Sequence, residues 1–298
     1  MSHIFAKKPV KITAYILLCF TSLYFIFMFS YGGFGRKEAA LDPNNAVPDD
    51  KLLFAHRGID LYYPESCELS IDKAKDAGFA ALEIDIRRDK NGELIVFHDD
   101  FCDRLLGIKG EVDTMTYKDL KKYPLLYREE KFDTNVYMIT LRELLDKYSE
   151  DFLFYFDMKL TDFKTAEDMV AIIKEFHIEK HAIIANSDIL FVFYLENKHR
   201  GIATALEGFD SGKEWTYYLM PKMLKPDFYA SFYWNIDTDH IAWLKKNELM
   251  DQKIAYGMVP PDIKPMMDFG ISNMIVDFDS TMLGNISGED KLRVPLVK

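Results

Sequence analysis

The chain has 298 residues, 49% of them hydrophobic and 29% charged, with a formal net charge of −11. That is enough apolar material for the core of one large domain or two small ones. Residues 38–298 carry 32 basic and 48 acidic side chains, a net of −16, which excludes nucleic-acid binding through bulk electrostatics.

Residues 12–35 contain no charge, and 12–29 are nearly all apolar. About 20 such residues span a bilayer core, so the pattern predicts one N-terminal transmembrane helix. A cleaved signal peptide is the alternative, but no clear Ala-x-Ala site follows the apolar run. Leu18 precedes Cys19, which argues against a lipoprotein site. Lys7, Lys8 and Lys11 before the span outnumber Arg36 and Lys37 after it. This bias predicts a single-pass membrane protein with its N-terminus inside and its domain on the outer, extracytoplasmic face. The expected division is a cytoplasmic tip and anchor over 1–35, a Pro- and Asn-containing tether over 36–51, and a domain over 52–298 with an insertion at about 101–140.

From residue 52 onward, short apolar runs alternate with helical patterns. Strands are predicted at 52–55, 80–86, 94–97, 152–157, 182–185, 202–206, 227–230, 253–257 and 273–276. Helices are predicted around 66–77, 141–148, 166–176, 189–198, 213–223, 239–246 and 262–269. Such alternation implies α/β architecture, with a parallel sheet and helices outside it. Asn91-Gly92 between the second and third runs is a hairpin signal. The third strand then folds back antiparallel, and eight remain, the number in a (β/α)8 TIM barrel. An open doubly wound sheet is the alternative. With Asn91 and Gly92 as the two turn residues, Ile86 opposes Phe97 and Asp85 opposes His98. Glu83, Asp85 and His98 would then share one face, an inference that a one-residue slip destroys.

The chemistry-bearing residues gather at the ends of these strands. They are His56-Arg57-Gly58, Pro64-Glu65, Glu83-Ile84-Asp85, Val96-Phe97-His98-Asp99 and Asp157-Met158-Lys159. Histidines titrate near neutral pH, carboxylates hold hard cations, and the arginine fork suits phosphate oxygens. The order and spacing over 52–159 resemble the glycerophosphodiester phosphodiesterase family, and the later strand–helix rhythm fits it more loosely. The resemblance implies a TIM barrel whose active site lies at the C-terminal strand ends. It implies that His56 and His98 are the catalytic acid–base pair and that Arg57 and Lys159 bind phosphate, with Glu65 at the site margin. Glu83, Asp85 and Asp157 would hold a divalent metal, Mg²⁺ or Ca²⁺. Asp157 departs from the family's usual Glu-x-Lys. In this it looks like the sphingomyelinase D enzymes, which lack the His-Arg-Gly and Pro-Glu seen here.

The implied reaction is hydrolysis of a glycerophosphodiester to glycerol phosphate and an alcohol. A lysophospholipase D or sphingomyelinase D-like enzyme acting on membrane lysolipids is the alternative substrate class, and a non-catalytic binding barrel the alternative of another kind. Asp277 matches the end of the family's last strand and is expected to be structural. Tyr256 stands where family members often carry a tryptophan and is a candidate substrate contact. The aromatic residues of the insertion either cover the substrate or pack on the rim. Trp215, Trp234 and Trp243 are expected in the core or at the rim, and Cys67 and Cys102 are expected to be unpaired.

Overall fold

The protein's computed structural model describes residues 8–30 and 52–277. The expected tether at 36–51 lies outside the described residues. Helix α1 (Lys8–Ser30) runs for 23 residues, its side chains are described over 12–26, and the Tyr24 hydroxyl donates to the carbonyl of Leu219 at 2.5 Å. Among the described residues no helix is long and apolar enough to cross a membrane. The fold therefore does not show the transmembrane helix that the sequence suggests.

The domain opens with β1 (Leu52–His56), α2 (Glu68–Asp76), β2 (Ala81–Arg88) and β3 (Leu94–Val96). The segment that follows holds the short helices α3 (Asp103–Leu106) and α4 (Tyr117–Leu120) and a small ladder of β4 (Leu126–Tyr127) and β5 (Glu130–Lys131). Alternation then resumes with α5 (Leu141–Tyr148), β6 (Leu153–Met158), α6 (Phe163–Glu175), β7 (Ala182–Asn186), α7 (Ile189–Lys198) and β8 (Ala203–Glu207). The described residues finish with α8 (Glu214–Leu219), β9 (Phe228–Phe232), α9 (Thr238–Lys246), β10 (Lys253–Met258), α10 (Pro260–Phe269) and β11 (Asn273–Val276).

Eight of these strands are parallel and run in the order β1, β2, β6, β7, β8, β9, β10, β11, with β11 pairing back onto β1. That last pairing closes the barrel and rules out the open doubly wound sheet. Closure leaves no exposed edge among the eight strands. Alternation sends Phe54, Tyr155, Ala185, Ala205, Ala230 and Ile254 into the lumen. The opposite strand faces pack beneath the helices around Ile84, Phe154, Phe156, Ile184 and Met274. Both faces are buried, which is why β6 reads as the continuous run Leu-Phe-Tyr-Phe. Cys67 and Cys102 are buried and free, as expected.

The hairpin register differs from the sequence expectation by one residue. Strand β3 pairs antiparallel with β2 as Ile86 with Val96 and Arg88 with Leu94, so Asp85 stands against Phe97 rather than His98. A two-residue type I′ turn needs positive φ at both central residues, and here only Gly92 has it. The Asp89 carboxylate instead organises a longer loop. Its Oδ1 accepts from the Asn91 and Glu93 amides at 2.7 and 2.9 Å, and its Oδ2 accepts from the Tyr117 amide at 2.8 Å.

Candidate active site

Each half of the His-Arg-Gly motif has a local reason. His56 is the last residue of β1. Arg57 then takes a left-handed φ of 51°, which turns its amide onto the Glu83 Oε2 atom at 3.1 Å. Gly58 follows at φ 84°, and a Cβ there would stand 2.6 Å from the Ser70 carbonyl carbon. Only glycine fits so close an approach of loop to helix.

Glu83 and Asp85 stand two residues apart on β2 and project to the same side, with Asp157 of β6 in register beside Asp85. Ligand atoms of Glu83, Asp85 and Asp157 all lie within 4.8 Å of one another. Arg57 Nε approaches one Asp85 oxygen at 2.8 Å, and Lys159 Nζ approaches the other at 2.7 Å while also contacting Asp157. Both Asp85 oxygens are nevertheless sealed from solvent without a well-aligned hydrogen bond. The ion pairs satisfy the charge of Asp85 but not its lone pairs.

The electrostatics follow from this crowding. Burial, reinforced by the Asp85 charge, pushes Glu83 up to about 8. Burial also raises Asp157, Lys159 opposing it and Asp85 adding to it. Asp85 is driven the other way, because Arg57 and Lys159 outweigh its burial. Three closely spaced carboxylates, two of them buried and one with both oxygens unsatisfied, suit a hard divalent cation. These residues therefore fit the metal that the sequence reading places on them.

Both histidines act on this cluster. His56 Nδ1 sits 2.6 Å from Asp277 Oδ1 and 3.2 Å from Asp60 Oδ2, which leaves Nε2 turned toward Glu83 at 3.8 Å. Burial opposes its protonation, but Asp277, Asp60 and Glu83 hold its pKa well above the usual value. His98 lies just beyond β3, so strand alternation no longer dictates where it points. Its positive form would be felt by both Asp85 and Asp157, and its Nδ1 is 2.6 Å from Asp99 Oδ1. His98 thus reaches the site by leaving the strand, not by facing Asp85 across it.

Glu65 accepts from Arg57 Nη1 at 3.0 Å. It also takes two bonds from Arg104, at 2.7 and 2.9 Å. Beside it lies a cavity of about 240 Å³ whose lining includes Asp60, Glu65 and Arg104, and Leu126 and Tyr127 of the 101–140 segment. That segment has its own small core around Phe97, Leu105, Leu120 and Met138. It is latched to the rim by the Tyr127 hydroxyl on the Leu61 carbonyl. It therefore both packs on the rim and lines the cavity.

The fold adds residues to which sequence reasoning gives no role at the site. Asp60 and Asp277 contact His56, and Asp99 contacts His98. The signal for Asp99 is its position directly after the histidine. Arg104 is hidden among the many charges of its segment. Glu207 is the acidic last residue of an otherwise apolar strand, the same signature that singles out Glu83 and Asp85.

A model of the glycerophosphoryl diester phosphodiesterase family matches residues 56–203, the stretch from His56 through Lys159 and on to β8. The chain belongs to this family. It is accordingly a phosphoric diester hydrolase. A glycerophosphodiester phosphodiesterase of Bacillus subtilis is 33% identical over 42% of this chain and 45% of its own length. One from Caldanaerobacter subterraneus is 25% identical over 78% of this chain and 96% of its own length. Among solved structures, an Oleispira antarctica phosphodiesterase in complex with the product sn-glycerol-3-phosphate superposes with a TM-score of 0.66 at 16% identity, covering 80% of this chain and 97% of that one.

Proposed function

We propose that the barrel mouth hydrolyses a glycerophosphodiester to glycerol phosphate and an alcohol. The observation that carries this reading is one convergence. Three carboxylates, Arg57 and Lys159 meet within ion-pair distance, with His56 beside Glu83 and His98 within electrostatic reach of Asp85 and Asp157. Glu83, Asp85 and Asp157 are the residues that would hold a divalent cation. When bound, such an ion polarises a non-bridging phosphoryl oxygen and offsets developing charge.

Arg57 and Lys159 attract the diester and neutralise its remaining charge. Asp277 and Asp60 hold the His56 ring through Nδ1, so Nε2 is the atom left for proton transfer. Asp99 does the same for His98. One histidine takes the proton of the attacking hydroxyl, and the other returns one to the leaving alkoxide. The nucleophile is either water or a neighbouring hydroxyl of the substrate that first closes a cyclic phosphate.

The test is turnover of glycerophosphocholine by the wild type, by His56→Ala and by His98→Ala. Each substitution is expected to lower kcat by about 10²- to 10⁴-fold, and a chelator is expected to abolish turnover. Unchanged rates in both variants and under chelation sink the reading. Substituting a lysolipid in the same assay decides whether acyl chains are accepted.

We also propose the single N-terminal anchor with the domain outside the cell. Its support is the uncharged run 12–35 in the sequence. Recovery of the full chain in a carbonate-washed soluble fraction counts against it.

A further inference from the structure

The mouth has a second wall that the phosphate chemistry leaves unused. Strands β8, β9 and β10 stand across the barrel from β1, β2 and β6, which carry the cluster described above. This wall ends in Glu207 on β8, Phe232 on β9 and Tyr256 on β10. All three lie on the lumen-facing side of their strands, continuing the rows of Ala205, Ala230 and Ile254.

The aromatic part is built, not incidental. Phe232 is in register with Tyr256, and their ring centroids are 4.4 Å apart. Trp234 stacks on Phe232 at 4.5 Å with an interplanar angle of 16°. Gly257, at φ 74°, makes room for this stack, since a Cβ there would meet the Phe232 ring at 2.9 Å. Phe232 and Trp234 are nonetheless 38% and 60% exposed. The Phe232–Trp234 pair is thus held in place while part of its surface stays exposed at the mouth of an active site.

Glu207 supplies the charge beside them. It is paired in register with Ala230, two residues before Phe232 on β9. The Tyr155 hydroxyl donates to Glu207 Oε1 at 2.9 Å and fixes the group. Asp85, Asp157 and Glu65 each have a cation in contact, but among the described residues none pairs with Glu207.

We propose that Glu207, Phe232, Trp234 and Tyr256 form a subsite for an ammonium-bearing alcohol, primary or quaternary, esterified to the phosphate. A cation over aromatic faces is attracted by the ring quadrupole, the more so when water is displaced. A carboxylate at the edge adds Coulomb attraction that a neutral alcohol does not gain. The assignment rests on the proposed function, with the phosphate lying at Arg57 and Lys159 on the facing wall. The alcohol end of the diester then spans the mouth toward Glu207.

The test is a ratio measured on the full chain, kcat/KM for glycerophosphocholine over kcat/KM for glycerophosphoglycerol. Glu207→Gln is expected to lower this ratio about tenfold. A ratio that does not move overturns the assignment, even if both rates fall together, because a purely structural role lowers both alike. Should that variant fail to fold, Trp234→Leu decides on the same criterion. If the wild type cleaves neither diester, the proposed function fails and the subsite is judged by calorimetry. There the wild type is expected to bind choline about tenfold more tightly than its neutral isostere 3,3-dimethylbutanol. Equal binding of the two overturns the subsite.

Discussion

At the scale of single residues, Arg104 is the side chain on which the site's order depends most and whose part the sequence shows least. Its guanidinium holds Asp99 at 2.6 and 2.8 Å and Glu65 at 2.7 and 2.9 Å. Asp99 orients His98, and Glu65 orients Arg57, so one planar fork positions both an acid–base group and a phosphate ligand. Arg104→Met is expected to lower kcat on glycerophosphocholine about 10- to 100-fold, in line with the cost of a small misplacement. Arg104→Lys should recover only part of the loss, because a point charge cannot bridge two carboxylates bidentately. The same network sets an acid limit. Bonds from Arg104 and His98 overcome burial to bring Asp99 down to about 2, and Arg104 and Arg57 lower Glu65 likewise. A depressed carboxyl stabilises the fold above its unfolded pKa, here 3.8 for Asp99 and 4.5 for Glu65, and that contribution fades as pH falls toward 2. The difference in Tm between wild type and Arg104→Met should therefore be full near pH 6 and shrink between about pH 4.5 and 2. A difference independent of pH contradicts this account.

At the scale of elements, the sequence marks where strands and helices lie better than how they register. Helices Leu141–Tyr148 and Ile189–Lys198 and strand Asn273–Val276 fall on their expected residues, because apolar periodicity and the capping Thr140 and Asp188 are local signals. The β2–β3 hairpin is different. Asn91-Gly92 describes a local turn preference, whereas the register is set by Asp89, whose third partner is an amide 28 residues away at Tyr117. No periodic pattern reports a bond of that range. Asp89 is 3% exposed, and losing its carboxylate would remove the acceptor of three amides. Asp89→Ala is expected to cost about 3 kcal/mol in urea unfolding, roughly 1 kcal/mol for each bond lost. It should also lower kcat, because His98 continues from β3 without a strand partner to hold it. A stability loss under about 0.5 kcal/mol, the range of an ordinary surface substitution, would show that Asp89 does not fix this loop.

At the scale of the whole molecule, closing the barrel gathers acids that are far apart in the chain. The pairing of β11 with β1 brings Asp277 to His56 across 221 residues, and the ring of strands sets Glu207 facing the Glu83–Asp157 side. The count of strands was legible in the sequence, and so were the motif acids at their ends. Which acids meet follows from closure alone, and that is why Asp277 and Glu207 carry no site assignment on sequence grounds. Closure also makes the mouth repulsive in the absence of a metal. Glu83 is raised to about 8 from 4.5, so between these values the folded chain binds a proton that the unfolded chain has released. Stability of the chelated protein should then be greatest below about pH 4.5 as far as Glu83 is concerned, and fall as pH rises to 8. A divalent cation bound by Glu83, Asp85 and Asp157 replaces that proton and reverses the trend. At pH 8, Mg²⁺ or Ca²⁺ at 100 times its Kd should stabilise the fold by about 2.7 kcal/mol. Glu83→Gln separates this from a generic salt effect, since the two signs oppose. Removing a like charge should raise the metal-free Tm at pH 8 above that of the wild type, while the gain on adding metal shrinks or disappears. Differential scanning calorimetry of both proteins, with and without chelator, measures all four values. A Glu83→Gln protein that is less stable than wild type without metal, and gains as much as wild type with it, would place the cation elsewhere.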